Sequence, residues 1–258
     1  MAQFPFSSSL VTGASSGIGE EVVRQLAAAG VPTVAVARRI ERLQELATEL
    51  TGVEVMPADL GTRAGQDMVA ARMDEPDRPI DLVVNNAGFG TSGHFHELDA
   101  DRLADEIELN VTALTRLSHA ALSVMIPRKR GWLLNVSSVA SFQPAPGLAV
   151  YAATKAYVTS LTESLHEEAG AAGVKVSALC PGLTRTEFQS VSNTGHYQSA
   201  MPGFAWTDVE EVARVGLDGV AKGRAIIVPG TLYKALVGAG SMTPRWLKRS
   251  LSSMVQRR

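Results

Sequence analysis

The sequence predicts a single α/β domain built on a doubly wound parallel sheet of seven strands. Short β-branched runs alternate along the chain with longer segments of helical period, and no repeat, linker or low-complexity tract interrupts them. Strands that alternate with helices form right-handed βαβ crossovers, which bury a parallel sheet between helical layers. A length of 258 residues and a hydrophobic content of 45% are sufficient for one large core.

The strands and helices can be placed in chain order. The predicted strands are SSLVTG, PTVAVA, VEVMPA, IDLVVNNAG, GWLLNVSS, VKVSALCPG and AIIVPG. Helical periodicity predicts helices over 17–29, 39–50, 62–74, 99–126, 149–171 and 208–221, whereas 183–206 is predicted to be irregular. Thr207 followed by Glu210 fits a capping box, so Thr207 is the expected N-cap of the helix near 208.

Charge is distributed unevenly although the net charge is only −2. Residues 219–258 carry eight basic side chains and no acidic one, which leaves −10 on the rest of the chain. Such asymmetry can indicate contact with an acidic surface. We therefore divide the chain into a domain over 1–230 and a basic amphipathic extension over 231–258.

The extension has its own helix signal. Thr243 and Pro244 suit an N-cap and a first helical residue. The helix after them would have an apolar stripe of Leu247, Leu251, Met254 and Val255 and a basic face of Arg245, Lys248, Arg249, Arg257 and Arg258. It suits peripheral contact with an anionic membrane, or packing on the substrate cleft or on another subunit. Packing is favoured, because so short a stripe buries too little for stable anchoring.

Several classes of protein are disfavoured by composition. No apolar run approaches the ~18 residues of a membrane span, and MAQFPFSSSLVTG lacks the basic and apolar regions of a secretion signal. A cytoplasmic location is expected, with no nucleic-acid partner. The single cysteine, Cys180, is expected to be a small buried hydrophobe. His94 and His96 have no third ligand nearby, so no metal site is predicted.

A glycine-rich turn follows the first strand. In TGASSGIGEEV, Gly13, Gly17 and Gly19 stand where strand becomes helix. Glycines there let backbone N–H groups and the helix N-terminus approach a pyrophosphate. The spacing departs from the G-x-G-x-x-G fingerprint and is weak evidence alone, but its position in a βαβ series indicates a dinucleotide site.

The end of the second strand bears on the choice of cofactor. An NAD site would offer an acidic residue to the ribose 2′-hydroxyl near Ala37, but Arg38 and Arg39 follow instead. Two arginines can hold a 2′-phosphate by charge-assisted hydrogen bonds. The alternative is two basic residues that open a solvated helix. The missing acid favours NADP(H).

Tyr151 and Lys155 lie four residues apart in the helical segment VYAATKAYV, and so share one face. An ammonium about 5 Å from a phenol, at an effective dielectric near 20, favours the phenolate by roughly 3 kcal/mol or ~2.4 pK units. Desolvation opposes part of that effect. We expect a lowered pKa for Tyr151, in the range useful to a general acid or base. The alternative is a half-buried tyrosine beside a solvated lysine.

Six motifs in order resemble the short-chain dehydrogenase/reductase family. They are TGASSGIG, NNAG at 85–88, Asn110, NVSS at 135–138, YAATK at 151–155 and PGLTRT at 181–186. The resemblance extends from about residue 8 to 230. It implies a Rossmann-like fold, an NADP(H)-dependent oxidoreductase acting on a carbonyl or secondary alcohol, and a homodimer or homotetramer.

By that resemblance the catalytic tetrad falls on Asn110, Ser138, Tyr151 and Lys155. Ser138 is preferred to Ser137, because the family's serine lies thirteen residues before its tyrosine and neighbouring strand residues face opposite sides. The implied roles are general acid/base for Tyr151, a nicotinamide-ribose contact for Lys155, substrate orientation for Ser138, and a water that Asn110 holds between Lys155 and solvent.

The resemblance also implies the cofactor contacts. Asp59 should meet the adenine edge, with a helix cap as its alternative, and Asn86 the adenosine ribose. The implied cofactor-binding residues are Gly13, Ser15, Ser16, Gly17, Ile18, Gly19, Arg38, Arg39, Asp59, Leu60, Asn86, Ala87, Gly88, Asn110, Tyr151, Lys155, Pro181, Gly182, Thr184 and Thr186.

Residues 187–206 form an aromatic segment long enough to be a lid over the substrate. Its apolar side chains, with Phe89, Phe142 and Pro144, favour a bulky hydrophobic carbonyl or alcohol. One alternative is a 3-oxoacyl thioester reductase. Another is a non-catalytic NADP-binding regulatory protein, whose expected broken tetrad is absent.

Overall fold

The computed structural model describes residues 4–194 and 202–241, and its centre is a parallel sheet of seven strands. The strands of this sheet are β1 (Ser9–Thr12), β2 (Thr33–Ala37), β3 (Val53–Pro57), β4 (Leu82–Asn85), β5 (Gly131–Val136), β6 (Val174–Leu179) and β9 (Ile226–Ile227). Their order is β3-β2-β1-β4-β5-β6-β9, so the direction of winding reverses between β1 and β4. The predicted doubly wound sheet is confirmed.

Helices cover both faces of the sheet. They are α1 (Gly17–Ala28), α2 (Ile40–Glu49), α3 (Arg63–Met73), α4 (Ala100–Ile107), α5 (Leu114–Met125), α6 (Ala149–Gly170), α7 (Phe188–Val191), α8 (Val209–Ala221) and α9 (Thr231–Ser241). α1, α2 and α8 pack their apolar residues on one face of the sheet, and α3, α5 and the end of α6 pack on the other. No helix in the described part of the chain has both the length and the hydropathy to span a membrane.

The long helix predicted over 99–126 is interrupted. A π-helical segment, Glu108–Ala113, joins α4 to α5, and it contains Asn110. Wider turns of this kind are rare and are found mostly at functional sites. Hydrophobic periodicity does not reveal them, because one widened turn barely shifts the pattern over a window of this length.

The predicted capping box is wrong. Thr207 lies in β8 (Trp206–Thr207), which pairs with β7 (Leu183–Thr184) in a separate two-stranded ribbon. The N-cap of α8 is Asp208, whose side chain makes no capping hydrogen bond. The segment predicted to be irregular thus contains a strand at its start and the short helix α7.

A buried polar chain joins the sheet to the helices below the cleft. Asn85 and Asn135 are partners in the register of β4 and β5. The Asn85 amide donates to Asn135 Oδ1 at 3.0 Å and to Ser118 Oγ of α5 at 3.1 Å. Asn135 donates in turn to Thr162 Oγ1 of α6 at 3.1 Å. These bonds fix α5 and α6 relative to the strand ends.

The segment predicted as an extension begins with a helix that packs on the domain. Tyr233 of α9 is buried; its hydroxyl donates to the carbonyl of Ala205 at 2.6 Å and accepts from the N–H of Leu183 at 3.0 Å. The boundary at 230 stays a prediction. The amphipathic helix expected after Thr243 lies outside the described residues.

Asp81 fixes the N-terminal segment to the start of the sheet. It is buried and accepts from the Ser7 N–H at 3.0 Å, the Ser7 hydroxyl at 2.8 Å and the Arg130 guanidinium at 2.9 Å. Burial acts to raise the pKa of Asp81, but the hydrogen bonds from Arg130 and Ser7 outweigh it and the net pKa is lowered. A lowered pKa means that Asp81 stabilises the fold above its unfolded pKa and loses that contribution in acid.

We expect Asp81→Asn to lower the free energy of unfolding by about 1–3 kcal/mol at neutral pH, since it removes the buried charge and leaves donors unpaired. Asp77→Asn, which removes an exposed acid from the same loop, should change stability by less than ~0.5 kcal/mol. Urea unfolding from pH 7 to pH 3 measures both. The Asp81→Asn deficit should shrink as pH falls; a deficit independent of pH would contradict this account.

Candidate active site

A cleft of about 530 Å³ opens at the carboxyl ends of the strands, where the sheet reverses its winding. The structure brings nearly all of the predicted site residues to this cleft, including both arginines, Ser138, Tyr151 and Lys155. Two predicted residues lie behind its wall. Gly19 packs against Gly13 and Asn86, and the Asn110 amide lies beneath Gly88.

The glycine turn between β1 and α1 has the shape of an anion cradle. Gly13 and Gly17 have φ of 66° and 57°, which favours glycine. A Cβ on Gly13 would lie 2.7 Å from Asn86 Nδ2. Ser16 is the N-cap of α1, but its side chain makes no capping hydrogen bond, so the first N–H groups of α1 face the cleft without a side-chain partner. Such a helix start fits a pyrophosphate.

Thr12 and Asn86 join this turn to the NNAG loop. The Thr12 hydroxyl accepts from the N–H groups of Asn86 and Ala87 at 3.0 and 3.1 Å. The Asn86 amide donates to the carbonyls of Thr12 and Gly13 at 2.9 and 3.3 Å. Both amide donors of Asn86 are thus used within the protein, and its contact with ribose stays a prediction. Sequence reasoning missed Thr12, although it directly precedes the glycine turn.

The two arginines after β2 differ in their contacts. Arg39 donates to Ser15 Oγ and to the Ser15 carbonyl at 3.2 and 3.1 Å, and its Nη1 lies 2.9 Å from Glu187 Oε2. Arg38 is exposed and makes no ion pair or side-chain hydrogen bond with any residue the structure describes. Arg38 can therefore take an anion without breaking a bond, whereas Arg39 links the glycine turn to the start of the predicted lid.

Asp59 and Thr62 share the loop after β3. The Asp59 Oδ1 accepts from the Gly61 N–H at 3.0 Å, and its side chain reaches the cleft. The cap of α3 is Thr62, whose hydroxyl accepts from the Gly65 N–H at 3.1 Å. The alternative role of Asp59 as a helix cap is therefore filled by Thr62.

Ser138, Tyr151 and Lys155 meet at the floor of the cleft. The Lys155 Nζ lies 5.7 Å from the centroid of the Tyr151 ring and donates to the Val136 carbonyl at 2.9 Å. Ser138 lies close enough to the Tyr151 phenol to act on its pKa. Ser137 points the other way, as expected of neighbours on a strand: its hydroxyl donates to the Lys155 carbonyl at 2.8 Å and contacts Thr159 Oγ1 at 2.7 Å.

The expected lowering of the Tyr151 pKa is wrong. Burial raises the pKa of Tyr151 to about 12, although the nearby Ser138 hydroxyl opposes this. Burial also lowers the pKa of Lys155 to about 8, since its side chain is only 5% exposed. Desolvation disfavours the charged form of each group and is the largest influence on both pKa values. At neutral pH the phenol therefore carries its proton.

Asn110 fixes the loop after β4. Its amide donates to the Phe89 carbonyl at 2.7 Å and to Thr154 Oγ1 at 3.2 Å, and its Oδ1 accepts from the Phe89 N–H at 3.1 Å. The side-chain donors are thus used within the protein. The predicted water between Lys155 and solvent stays a prediction, and it would have to bind the main chain of the π-helical segment or the remaining lone pair of Oδ1.

Gln189 is a site residue that sequence reasoning missed. Its amide donates to the Thr184 carbonyl at 2.8 Å and accepts from the Thr186 N–H at 3.1 Å, which fixes the loop after β6. That loop places the Thr186 side chain 3.1 Å from where a Cβ on Gly17 would stand. A lone glutamine in an aromatic segment gives no signal of this role.

The substrate end of the cleft is mainly apolar, with Gln143 and Thr194 as polar exceptions. Its apolar side chains are Phe89, Val139, Leu148, Phe188 and Val191, and the rings of Phe188 and Tyr151 are 5.3 Å apart. The other predicted aromatic residues behave differently. Phe204 is 78% exposed, Trp206 packs beside Arg185, Phe142 packs near Tyr233, and Tyr197 and Met201 lie outside the described residues.

Cys180 and the histidines have no evident part in the cleft. Cys180 is buried as predicted, and burial raises the pKa of its thiol to about 11. The His94 and His96 rings are 6.2 Å apart. Within residues 4–194 and 202–241, no three His, Cys, Asp or Glu side chains converge as metal ligands.

Comparison with known sequences gives consistent matches. The sequence profile of the short chain dehydrogenase family matches residues 8–196. An uncharacterized oxidoreductase of Myxococcus xanthus is 38% identical over 197 residues, covering 75% of this chain and 78% of that protein. One from Staphylococcus epidermidis is 34% identical over 197 residues, covering 76% of this chain and 85% of the relative.

Solved structures show the same likeness. A short-chain dehydrogenase from Sphingobium yanoikuyae in complex with NADPH has a TM-score of 0.82 and 34% identity, covering 90% of this chain and 92% of that chain. A bulky-bulky ketone specific alcohol dehydrogenase from Comamonas testosteroni has a TM-score of 0.77 and 32% identity, with coverages of 93% and 95%.

The glycine turn yields a direct test of dinucleotide binding. A Cβ at Gly17 would enter the narrow space beside Thr186, so Gly17→Ala should weaken NADPH binding at least tenfold, roughly 1.4 kcal/mol. Gly30→Ala is the matched control, because Gly30 has φ of 75° but a Cβ there would meet nothing within 4 Å. Both variants should lose about 1 kcal/mol of stability. Fluorescence titration with NADPH measures the difference, and equal affinities in the two variants would refute the cradle.

Proposed function

The chain belongs to the short-chain dehydrogenase family, and on that premise we propose that it is an NADP(H)-dependent oxidoreductase that reduces the carbonyl group of a bulky hydrophobic substrate to a secondary alcohol. The observation that carries the proposal is the meeting of Ser138, Tyr151 and Lys155 at the floor of a cleft with an anion cradle at one end and an apolar wall at the other. The family uses a nicotinamide cofactor, which supplies or accepts a hydride when bound.

The protein itself would supply the proton that the carbonyl oxygen takes up. The raised pKa of Tyr151 keeps its phenol protonated at neutral pH, which is the form that donates to a carbonyl oxygen as it gains charge. Ser138 lies beside the same phenol and would orient that oxygen. The reverse reaction needs the phenolate and is therefore expected to require alkaline conditions. Reduction is the direction that this site supports near neutral pH.

Lys155 would hold its ammonium beside Tyr151 and stabilise negative charge as the phenolic proton leaves. Its hydrogen bond to the Val136 carbonyl fixes the side chain without neutralising it. The pKa of about 8 means that the ammonium is lost in mildly alkaline solution. The rate of reduction should therefore fall above about pH 8, as Lys155 deprotonates.

A preference for NADP(H) over NAD(H) is supported by the charges at the rim. Arg38 is exposed at the edge of the cleft, and β2 is followed by no acid that would take a ribose 2′-hydroxyl. Arg39 adds positive charge, although its contacts with Ser15 and Glu187 hold it. The relative from Sphingobium yanoikuyae, whose structure contains NADPH, supports the same choice.

The apolar wall supports a bulky hydrophobic carbonyl substrate. The resemblance to a bulky-bulky ketone specific alcohol dehydrogenase supports the same class. A 3-oxoacyl thioester reductase remains the alternative, and activity on acyl-carrier substrates distinguishes it. A non-catalytic NADP-binding regulator is disfavoured by the complete set of catalytic side chains. The homo-oligomer, the cytoplasmic location and membrane contact through the basic tail stay predictions.

Tyr151→Phe should reduce kcat for ketone reduction by 10²–10⁴-fold while NADPH affinity changes less than about threefold, because only the hydroxyl carries the proton. Tyr157→Phe is the control: its hydroxyl contacts Thr115 at 3.0 Å on the exposed side of the same helix, so it should keep the wild-type rate. Steady-state kinetics with NADPH and bulky ketones measure both. If Tyr151→Phe kept more than a tenth of the wild-type rate, Tyr151 would not be the general acid.

Arg38→Ala should lower the preference for NADPH over NADH by about ten- to hundredfold, because a charged hydrogen bond contributes roughly 1.5–3 kcal/mol. Arg42→Ala removes an equally basic, exposed side chain from the first turn of α2 and should change the preference less than about threefold. The measurement is the ratio of kcat/KM for the two coenzymes. An unchanged ratio in Arg38→Ala would remove this residue as the selector.

A further inference from the structure

Glu106 is a buried carboxyl that the proposed reaction does not use. It lies on α4 with 0% exposure, and neither of its oxygens has a well-aligned hydrogen-bond partner among the described residues. Thr91 lies close enough to lower the pKa of Glu106, but its own hydroxyl is buried and equally unpaired. Native proteins rarely bury a carboxyl without hydrogen bonds, because nothing then offsets the free energy lost when the group leaves water.

Glu106 belongs to a polar stripe that runs toward the catalytic floor. Arg102, Glu106 and Asn110 are four residues apart, and so share one face of α4 and its π-helical continuation. Arg102 donates to the Val191 carbonyl of α7 at 2.6 Å, and its guanidinium lies 5.1 Å from the Phe89 ring centroid. The Asn110 amide donates hydrogen bonds to the Phe89 carbonyl and to the Thr154 hydroxyl. A helix packed against α6 would ordinarily be apolar on this face.

The stripe ends at Lys155. A Cβ on Gly88 would lie 2.7 Å from Asn110 Oδ1 and 3.5 Å from Lys155 Nζ, so the amide and the ammonium border the same small space. Glu106 lies one helical turn before Asn110. The negative charge of Glu106 acts on two side chains of α6. It raises the pKa of Lys155 and that of Tyr151.

The other ionisable groups around Lys155 do not supply negative charge at neutral pH. Burial raises the pKa of the Cys180 thiol to about 11 and that of Tyr151 to about 12, so both are neutral. Arg102 is a cation. Burial raises the pKa of Glu106 as well, and the charges of Lys155 and Arg102 oppose that effect. Among the described residues, Glu106 is thus the group that can supply negative charge to the buried Lys155 ammonium.

We propose that Glu106 is a positioning residue that supplies the buried countercharge of Lys155 and thereby keeps its side chain in the ammonium form. Glu106 does not touch substrate or cofactor in this role. It acts through Lys155. The proposal rests on the proposed function only in giving Lys155 a catalytic task, and the charge of Lys155 can be measured without any reaction.

The test is an NMR titration of the full-length protein labelled with ¹³C at the lysine side chains. The chain has only six lysines, at 129, 155, 175, 222, 234 and 248, and the Lys155 signal is assigned by its absence in Lys155→Met. In Glu106→Gln, which keeps shape but removes charge, the titration midpoint of Lys155 should fall by about one pH unit. Glu106→Asp should restore at least half of that fall.

Glu108→Gln is the matched control. Glu108 stands two residues away, is half-buried and accepts from the Gln66 amide at 2.8 Å on another side of the helix. Glu108→Gln removes one negative charge close to Glu106, as Glu106→Gln does. It should leave the titration midpoint of Lys155 within about 0.2 pH units of the wild-type value. If Glu106→Gln lowered thermal stability but left the Lys155 midpoint unchanged, Glu106 would be merely structural and the proposal would be overturned.

A second measurement covers the case in which Glu106→Gln does not fold. In the wild-type protein with ¹³C-labelled glutamate side chains, the Glu106 carboxyl must be ionised at pH values where Lys155 is charged. A carboxyl that stays protonated throughout the Lys155 titration overturns the proposal. Failure of the proposed function is distinguishable, because it would appear as full activity in Tyr151→Phe while the Lys155 midpoint still depended on Glu106.

Discussion

The parallel pairing of β1 with β4 is the constraint on which the site depends. At this seam the sheet reverses its winding, and the glycine turn after β1 comes to lie beside the NNAG loop after β4. Thr12 and Asn86 close the seam with four hydrogen bonds between side chain and main chain. The anion cradle on one side and the Gly88–Phe89 loop on the other therefore have fixed positions before any ligand arrives.

The sequence was most informative where a regular period continues over many residues. Seven strands and most helix ends follow from such periods, and the six motifs bring nearly all of the implied residues to one cleft. It was least informative where a long-range contact overrides a local signal. Thr207 has a capping sequence, but its strand pairing with Thr184 places it outside α8. Thr12 bonds the main chain of the distant NNAG loop, and Gln189 bonds the main chain a few residues before it; neither role is indicated by the residue type.

Tyr151 and Lys155 show the same limit in energetic terms. Spacing of four on a helix predicts that Tyr151 and Lys155 are neighbours, and a 5.7 Å separation of Nζ from the ring agrees with it. Spacing does not predict burial, and burial decides the protonation states. It opposes charge on both groups and leaves a phenol with its proton beside a lysine that holds its own proton weakly. This combination suits proton donation better than proton removal.

Charged side chains are solvated at the rim of the cleft and buried at its floor. At the rim, Arg38, Arg39 and Glu187 are solvated, where water and salt reduce each ion pair to about 1 kcal/mol or less. Charges there can be exchanged with little effect on the fold, so this end is suited to selecting one dinucleotide over another. At the floor, Lys155 and Glu106 lie out of water, where each charge depends on its neighbour. The rim can therefore vary in sequence independently, whereas a change in one charged group at the floor alters the chemistry of the other.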